Sequence, residues 1–336
     1  MVKRVLTLCV FLTLFTACRK DEPYRRQNFL LGTTVSVTFY GDMVKAKAAS
    51  DEIFTFIQEL HNCVNIYDDT SELSRLNSLA FQQSVNCSDL LWDILMAARR
   101  GYDISEGYFD VTSGPLMKLW GFHRKRESLP TDEELNLTLK RVGLENVLFD
   151  EENRSVRFAR EGMVIDFGGI AKGYALDRCK SIVEKYSIKS GIIDLGGNVY
   201  CLKVPPENRS FYNVGIRKPR GYGLDDVVKI KDQFVATSGD YERFVIIDGK
   251  RITHIVNPKT GKPVENVASV SVVTAEGVDS DIFSTAIFVG GEEISKKLVK
   301  NSPSTQYMIV KAEGKERFSF VTYGNVWSKN RKEDEE

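Results

Sequence analysis

Apolar and polar positions repeat along this chain with two different periods, and each period predicts a kind of element. Residues 33–40 alternate β-branched or aromatic side chains with small or polar ones, which is typical of a strand with one buried face. Residues 45–63 instead place Ile53, Ile57 and Leu60 on one stripe at helical spacing. The pattern therefore predicts an early strand followed by a long amphipathic helix.

Short-range signals predict where other elements begin and turn. Ser88 is a typical N-cap for a helix that runs to about Ser105. Thr131 and Glu134 have the spacing of a capping box. Asp248-Gly249 is a two-residue hairpin signal. The remaining predicted elements are helices over 71–77, 170–186 and 280–289 and from 292, and strands near Val147, Val156, Val164, 192–195, 212–216, 227–231, 244–247, 268–274, Met308 and Phe318.

These elements predict an α+β fold. Helices and strands are interleaved irregularly, without the regular β-α-β alternation of a parallel sheet, and no internal repeat or low-complexity stretch divides the chain. We expect one large domain over residues 29–328, with mixed or antiparallel sheets and packed helices. A charged tail over 329–336 would follow it.

The first residues have the pattern of an export signal. Two basic residues precede an apolar run over 5–15, which is shorter than the ~20 residues that a membrane-spanning helix needs. Cys18 follows small residues, as in a bacterial lipobox, although Phe15 stands where leucine is usual. We therefore expect a signal peptide over 1–17, lipidation of Cys18 and a polar tether over 18–28, with plain secretion as the alternative.

Composition narrows the kind of partner and of metal site. Lysine plus arginine and aspartate plus glutamate both number 46, so no strong field favours nucleic acid or an anionic membrane. Four cysteines lie beyond the signal, without the CxxC spacing of a zinc or redox site, and the chain has only three histidines. We expect these cysteines to be buried apolar residues; they are Cys63, Cys87, Cys179 and Cys201.

Three groups of residues could carry chemistry. In residues 164–174 a predicted strand ends at Asp166, two glycines follow, and a helix begins with Lys172 in its first turn. Main-chain N–H groups at such a helix start can bind phosphate, but a tight structural turn explains the pattern equally well. The segment lacks both the Walker sequence and the GxGxxG of a dinucleotide-binding domain.

The other two groups centre on Asp281 and His254. Asp281 and Thr285 are four residues apart and so share one helix face, where their oxygen atoms suit Mg2+ better than zinc. Taken alone, a helix-capping role for Asp281 is the commoner explanation. His254 lies in a strand-like run before an Asn-Pro turn, where a structural histidine is more frequent than a catalytic one.

Together these groups resemble the ApbE family of FAD:protein FMN transferases, and the resemblance covers essentially the whole chain after the tether. The motifs that carry it are Leu31-Gly32-Thr33, Tyr67, residues 71–77, Gly107-Tyr108-Phe109-Asp110, Gly114-Pro115-Leu116, residues 168–174, residues 236–243, residues 254–261 and the segment from Asp279 to Ala286. The resemblance implies a T-fold-related single domain and agrees with a lipoprotein that faces the periplasm.

The resemblance also implies a site. Catalytic residues would be His254 and Asp281: Asp281 would hold the metal, and His254 would act as general base or only orient the pyrophosphate or Asp281. The implied metal ligands are Asp281, Thr285, Ser284 and the carbonyl oxygen of Gly169. The implied FAD contacts are Leu31, Tyr67, Tyr108, Phe109, Asp110, Asp166, Lys172, Ile255 and Val256. The family often has a second aspartate at the position of Ser284, so metal affinity here would be lower. Methionine is usual at the position of Leu31, and leucine conserves its volume and should still pack against a ring.

The implied reaction uses Mg2+ and takes FAD as substrate. FMN would pass to a threonine or serine hydroxyl of an acceptor protein with an Asp-Gly-x-Thr-type segment, and AMP would leave. The acceptor would belong to a membrane redox complex or be a flavin-bearing reductase. Three alternatives stay open: an FAD pyrophosphatase that uses water as nucleophile, a flavin-binding lipoprotein without activity, and a purely structural lipoprotein.

Overall fold

The structure is a computed structural model that describes residues 22–123, 126–207, 209–314 and 317–328. The expected signal peptide over 1–17, Cys18 and the charged tail over 329–336 lie outside the described residues. Within the described part of the chain, every helix is too short or too polar to cross a membrane.

The described residues form seven α-helices and fifteen strands. The helices are α1 (Met43–Val64), α2 (Glu72–Leu79), α3 (Asp89–Ile104), α4 (Gly114–Leu119), α5 (Asp132–Leu139), α6 (Ala171–Lys185) and α7 (Gly277–Asn301). The strands are β1 (Tyr24–Leu30), β2 (Thr33–Tyr40), β3 (Val85–Asn86), β4 (Val147–Asp150), β5 (Ser155–Phe158), β6 (Ser190–Leu195), β7 (Asn198–Cys201), β8 (Tyr212–Arg217), β9 (Leu224–Ile230), β10 (Gln233–Gly239), β11 (Phe244–Ile247), β12 (Lys250–Thr253), β13 (Val267–Thr274), β14 (Gln306–Ala312) and β15 (Phe318–Tyr323).

One eight-stranded sheet organises the fold. Its strand order is β1-β2-β6-β7-β10-β13-β14-β15, and every neighbouring pair is antiparallel. Helices α1, α6 and α7 pack together and against this sheet. The α+β expectation is confirmed, because strands and helices are interleaved without parallel β-α-β units.

The sheet has a core on each face. In β14, Tyr307 and Ile309 point into the large core under the helices, whereas Met308 and Val310 point into a second core. This alternation follows from the two-residue period of a strand. The second core is closed by the β8–β9 hairpin and by Trp327. Both faces are thus buried, which leaves the ends of the strands for chemistry.

A third, smaller apolar cluster lies beside the sheet. It joins α4 and α5 to the β11–β12 hairpin through Leu116, Leu135, Ile247 and Ile252. The indole nitrogen of Trp120 donates a 2.7 Å hydrogen bond to the carbonyl oxygen of Gly261. This cluster therefore fixes the hairpin and the segment after it, which contains His254.

One predicted strand and one predicted boundary are wrong. No strand forms at Val164: the main chain of Ile165 bonds instead to the side-chain amide of Asn77, at 2.8 and 2.9 Å. The tether predicted over 18–28 is wrong from Tyr24 onward, because strand β1 begins there. β1 is an edge strand with mostly exposed side chains, so it lacks the apolar alternation that identifies a strand in sequence.

Candidate functional site

Asp281 is buried at the centre of the candidate site. Its side chain is 6% exposed, and Oδ2 accepts a 2.7 Å hydrogen bond from the main-chain N–H of Gly173. Oδ1 accepts a hydrogen bond from the side-chain amide of Asn198. Burial raises the pKa of Asp281, while Lys172 and the two hydrogen bonds act in the opposite direction. The carboxylate is thus held in one orientation by two donors and a nearby cation.

The position of Asp281 depends on the close crossing of α6 and α7. A methyl group placed on Gly173 would collide with the carbonyl oxygen of Gly277 and lie 3.0 Å from Cβ of Asp281. Asp177, one turn further along α6, accepts hydrogen bonds from the N–H groups of Gly277 and Val278 at the start of α7. Glycine at position 173 therefore lets the second turn of α7 reach the first turn of α6.

Hydroxyl groups lie on the same face of α7 as Asp281. Ser238, at the end of β10, lies 2.9 Å from the hydroxyl of Ser284 and 3.3 Å from that of Thr285. Gly169 is adjacent, because a methyl group placed on it would be 3.8 Å from Oγ1 of Thr285. The structure thus brings together all four residues that the sequence predicted as metal ligands.

The donor set fits a hard divalent cation. It combines one carboxylate and hydroxyl groups beside the main chain of Gly169, and oxygen ligands of this type are the ones that Mg2+ prefers. Among the described residues no group of three or more histidine, cysteine, aspartate or glutamate side chains could hold a metal. Within this donor set Asp281 supplies the carboxylate.

His254 is held in a single tautomer. Its Nδ1 lies 3.0 Å from the carbonyl oxygen of Arg243, and its main-chain N–H donates to the same oxygen at 3.2 Å. A carbonyl can only accept, so Nδ1 carries the proton and Nε2 keeps its lone pair. Burial lowers the pKa of His254 to about 4; the hydrogen bond to the Arg243 carbonyl opposes this, while the charges of Arg243 and Lys172 act with burial. The imidazole is therefore neutral near pH 7 and can accept a proton at Nε2.

A second histidine lies near Tyr67 and Asp166. The ring of His123 packs edge-on against Tyr67, with ring centroids 5.7 Å apart, and its Nε2 is 3.8 Å from Oδ2 of Asp166. Tyr67 is 65% exposed, and its hydroxyl lies 3.4 Å from the guanidinium of Arg243. Burial lowers the pKa of His123, although Asp166 opposes this. Tyr67 thus offers an open aromatic face at the edge of the site.

The loop before α6 connects these groups. Oδ1 of Asp166 accepts a 2.8 Å hydrogen bond from the N–H of Gly168, and Asp281 accepts the bond from Gly173 N–H in the first turn of α6. Lys172, in that turn, lies near enough to influence the pKa values of both Asp281 and His254. A positive helix end and a lysine therefore lie between the buried carboxylate and the neutral histidine.

Comparison with known proteins identifies the family. The sequence model of the ApbE family matches residues 31–309. The chain belongs to the ApbE family. An FAD:protein FMN transferase from Treponema pallidum is 32% identical over 304 residues, which are 85% of this chain and 84% of that protein. An FAD:protein FMN transferase from Klebsiella pneumoniae is 30% identical over 278 residues, with 81% and 84% of the two chains covered.

Solved ApbE structures have the same fold. The ApbE protein from Thermotoga maritima matches with a TM-score of 0.81 at 31% identity, over 90% of this chain and 97% of that chain. The flavin transferase ApbE from Vibrio cholerae matches with a TM-score of 0.78 at 25% identity, with the same coverage. The ApbE resemblance predicted from the sequence is confirmed.

Some residues expected to contact FAD in this ApbE protein are occupied with structural roles. Asp110 caps a short 3₁₀ helix by accepting bonds of 2.7 Å from the N–H and hydroxyl of Thr112. Burial raises the pKa of Asp110 to about 6. Ile255 and Val256 are each only 6% exposed, so their side chains belong to the apolar cores. A ligand could reach this segment only through its main chain.

Three other expected contacts are placed differently. Phe109 is buried, and a methyl group placed on Gly169 would lie 3.4 Å from its ring. The Phe109 side chain therefore packs against the loop that carries Gly169. The ring of Tyr108 is covered by the ammonium group of Lys259, 3.8 Å from its centroid. Leu31 is half-buried with φ of 51° in the β1–β2 turn, at the sheet end that also holds Asn198.

Sequence reasoning missed three residues of the site. Asn198 orients Asp281, Ser238 contacts both α7 hydroxyls, and His123 packs on Tyr67. Ser238 stood in a motif that carried the family resemblance, so that motif was the available signal. Asn198 and His123 had no local signal, because their partners are distant in the sequence.

Proposed function

We propose that this ApbE protein transfers FMN from FAD to a threonine or serine hydroxyl of an acceptor protein. The new bond is a phosphodiester between the acceptor oxygen and the FMN phosphorus, and the bond that breaks is the pyrophosphate link to AMP. The observation that carries the proposal is the pairing of a neutral His254, free at Nε2, with a lysine and a buried carboxylate. The relatives from Treponema pallidum and Klebsiella pneumoniae, both named FAD:protein FMN transferases, support it.

His254 would act as the general base. The acceptor hydroxyl is a weak nucleophile and must lose its proton as it attacks phosphorus. Nε2 of His254 accepts that proton, while the bond from Nδ1 to the Arg243 carbonyl stabilises the imidazolium that forms. A positioned base of this kind typically contributes about 10²–10⁴-fold in rate. Protonation of the departing AMP phosphate is unnecessary near neutral pH.

Charge on the pyrophosphate is the other barrier to attack. Lys172, through its ammonium group and its main-chain N–H in the first turn of α6, would stabilise phosphate oxygens. Asp281, Thr285, Ser284 and the Gly169 carbonyl would hold Mg2+, with Asn198 and the Gly173 N–H keeping Asp281 in place. A bound Mg2+ would supply further neutralisation of the phosphates.

The exposed ring of Tyr67 would stack on one of the aromatic systems of FAD. An open tyrosine face at a site edge is well suited to a planar ligand, and the contact with His123 holds the ring from one side.

We further propose that the protein is exported and anchored through Cys18 to a membrane facing the periplasm, since residues 1–18 have the lipobox pattern. The acceptor would then be a membrane redox protein or a flavin-bearing reductase on that side.

One reaction tests the proposal. Residues 19–336 are incubated with FAD, Mg2+ and a soluble acceptor domain that carries an exposed Asp-Gly-x-Thr segment, and AMP release and acceptor mass are measured. We expect the acceptor to gain the mass of FMN with one AMP per transfer, and an acceptor with that threonine changed to valine to gain none. His254→Ala and Asp281→Ala should abolish transfer, while His61→Ala, a histidine of α1, should not.

Other outcomes of this reaction distinguish the alternatives. AMP release that is equal with and without acceptor would identify a pyrophosphatase. Bound FAD with no AMP under any of these conditions would identify a flavin carrier. Either result would replace the transferase proposal.

A further inference from the structure

The outer edge of β11 in the β11–β12 hairpin pairs with no other described residue. Its two strands form a separate two-stranded sheet, joined by Asp248 and Gly249 with positive φ values of 48° and 72°. Positive φ at both turn positions is the geometry of a tight hairpin. β12 pairs with β11 on one side, so β11 leaves its other edge open in the described structure.

The pairing phase shows which main-chain groups face the open edge. The N–H of His254 donates to the carbonyl of Arg243, so residues 243 and 254 form a hydrogen-bonded pair. Hydrogen-bonded and non-hydrogen-bonded pairs alternate along an antiparallel ribbon. The pair Ile246 and Arg251 is therefore non-hydrogen-bonded, and the N–H and C=O of Ile246 point away from β12. The same holds for Phe244.

A slot runs along this edge. A cavity of about 420 Å³ is lined by Val245, Ile246 and Ile247 of β11 and, opposite them, by residues 121–123 and Arg126. Three consecutive β11 residues line the cavity and no β12 residue does, which places it at the outer edge of the ribbon. Hydrogen bonds of 2.7 Å to the Ser128 carbonyl and 2.6 Å to Glu134 fix the guanidinium of Arg126.

The slot leads directly to the proposed base. Phe122 lines the slot and also packs edge-on against the ring of His254, with centroids 6.3 Å apart. At its near end, β11 begins one residue after Arg243, whose carbonyl holds His254. A chain lying in the slot would therefore pass beside the imidazole that accepts the proton.

We infer that an extended segment of the acceptor protein binds in this slot as a third strand of the β11–β12 ribbon. This inference rests on the proposed function, which requires that a polypeptide hydroxyl reach His254. The unpaired N–H and C=O groups of Ile246 bind main chain of any sequence, as in other cases of strand addition. The exposed side chains of Phe244 and Ile246, 47% and 57% exposed, would pack on the added strand.

A proline variant tests the inference, because the main-chain group that it removes is the outward donor. Ile246→Pro deletes an N–H that the β11–β12 ladder does not use, and proline is tolerated at such edge positions. Ile246→Thr keeps the N–H while changing the side chain. Gln27→Pro is the matched control: it lies on the open edge of β1, where Gln27 pairs with Ser36 at a non-hydrogen-bonded position by the same alternation.

The measurements separate acceptor binding from FAD binding and from chemistry. Affinity for the acceptor domain is measured by fluorescence polarisation, FAD affinity by flavin fluorescence, and transfer by acceptor mass. We expect Ile246→Pro to weaken acceptor affinity and raise the acceptor KM by about tenfold, with FAD affinity unchanged. Ile246→Thr should have a smaller effect, and Gln27→Pro none. In the wild type, acceptor binding should slow hydrogen exchange at the Ile246 amide.

Contrary results would overturn the inference in distinct ways. Unchanged acceptor affinity in Ile246→Pro, or unchanged exchange at Ile246, would show that no strand adds at this edge. Loss of FAD affinity in Ile246→Pro would make the slot part of the flavin site. A wild-type dimer that dissociates in Ile246→Pro would assign the edge to a second copy of this chain. Either result would overturn the inference. Acceptor binding that depends on Ile246 without any transfer would instead reject the proposed function and keep the docking edge.

Discussion

The side-chain amide of Asn198 donates a hydrogen bond to Oδ1 of Asp281, across 83 positions of the sequence. Asn198 opens β7 directly after the turn that leaves β6, and it is 1% exposed. Asp281 lies in the second turn of α7, and burial raises its pKa. This contact therefore couples the end of the large sheet to the carboxylate that would bind metal.

We expect Asn198→Ala to weaken metal dependence without removing a metal ligand. Loss of a group that orients a ligating carboxylate typically costs about 10–100-fold in metal affinity or activity. The measurement is the Mg2+ concentration that gives half-maximal FMN transfer, which should rise by about tenfold or more. Asn213→Ala, an exposed asparagine of β8, should leave it unchanged. An unchanged Mg2+ requirement in Asn198→Ala would show that the contact does not serve the metal.

Ser284→Asp should make stability depend on metal. Ser284 is 1% exposed and lies on the same face of α7 as Asp281, so Ser284→Asp would bury a second carboxylate beside the first. An uncompensated buried charge costs about 3–5 kcal/mol, and a bound divalent cation offsets that cost. Without Mg2+ the Tm of the variant should fall below that of Ser284→Ala. Added Mg2+ should raise the Tm of Ser284→Asp more than that of the wild type; equal shifts would argue against a cation at this position.

The pKa of His254 sets two pH dependences. Since burial lowers this pKa from 6.5 to about 4, Nε2 stays unprotonated in the folded protein above about pH 5. Protonation of His254 should therefore make kcat/KM for FMN transfer fall only near pH 4. An acid limb near pH 6.5 would show that the imidazole is exposed to water and would contradict the assigned environment.

Folding stability should respond in the same window. Between pH 6.5 and about 4 the unfolded histidine binds a proton that the folded one does not, so this residue lowers stability as pH falls. Asp177, whose pKa is raised to about 6 by burial, acts in the opposite direction. The comparison is therefore between the wild type and His254→Ala. Between pH 7.5 and pH 5 the free energy of unfolding by urea should fall more for the wild type than for His254→Ala. An equal fall in the two proteins would contradict the lowered pKa of His254.

Gly173→Ala tests the crossing of α6 and α7. The added methyl group would collide with the Gly277 carbonyl, so the helices must separate. Overpacking of this kind typically costs about 1–3 kcal/mol, and the separation would also break the bond from the Gly173 N–H to Asp281. We expect a lower Tm and strongly reduced transfer. Ser181→Ala, on an exposed position of the same helix, should change neither; a wild-type Tm in Gly173→Ala would contradict the close crossing.

Local signals in the sequence determine many of the elements. The caps at Ser88 and Thr131 and the turn at Asp248-Gly249 involve groups at most three or four residues apart, and all are confirmed. The pairing of Asp281 with Thr285 follows from one helical turn. The ApbE motifs reach further because they name residues together whose contacts are distant. For this reason the sequence predicted the family and named residues that the fold brings close together.

Only the tertiary structure decided contacts between distant segments. The side-chain amide of Asn77, 88 positions away in the sequence, donates a hydrogen bond to the main-chain carbonyl of Ile165 in place of a neighbouring strand. The strand predicted at Val164 is wrong for this reason. His123 meets Tyr67 and Asp166, and Asn198 meets Asp281, through the packing of separate elements. Apolar periodicity reports which face of an element is buried, but not which element covers it. The sequence by itself thus determined many of the elements, the family and the candidate chemistry, while packing decided the tautomer of His254, the support of Asp281 and the open edge of β11.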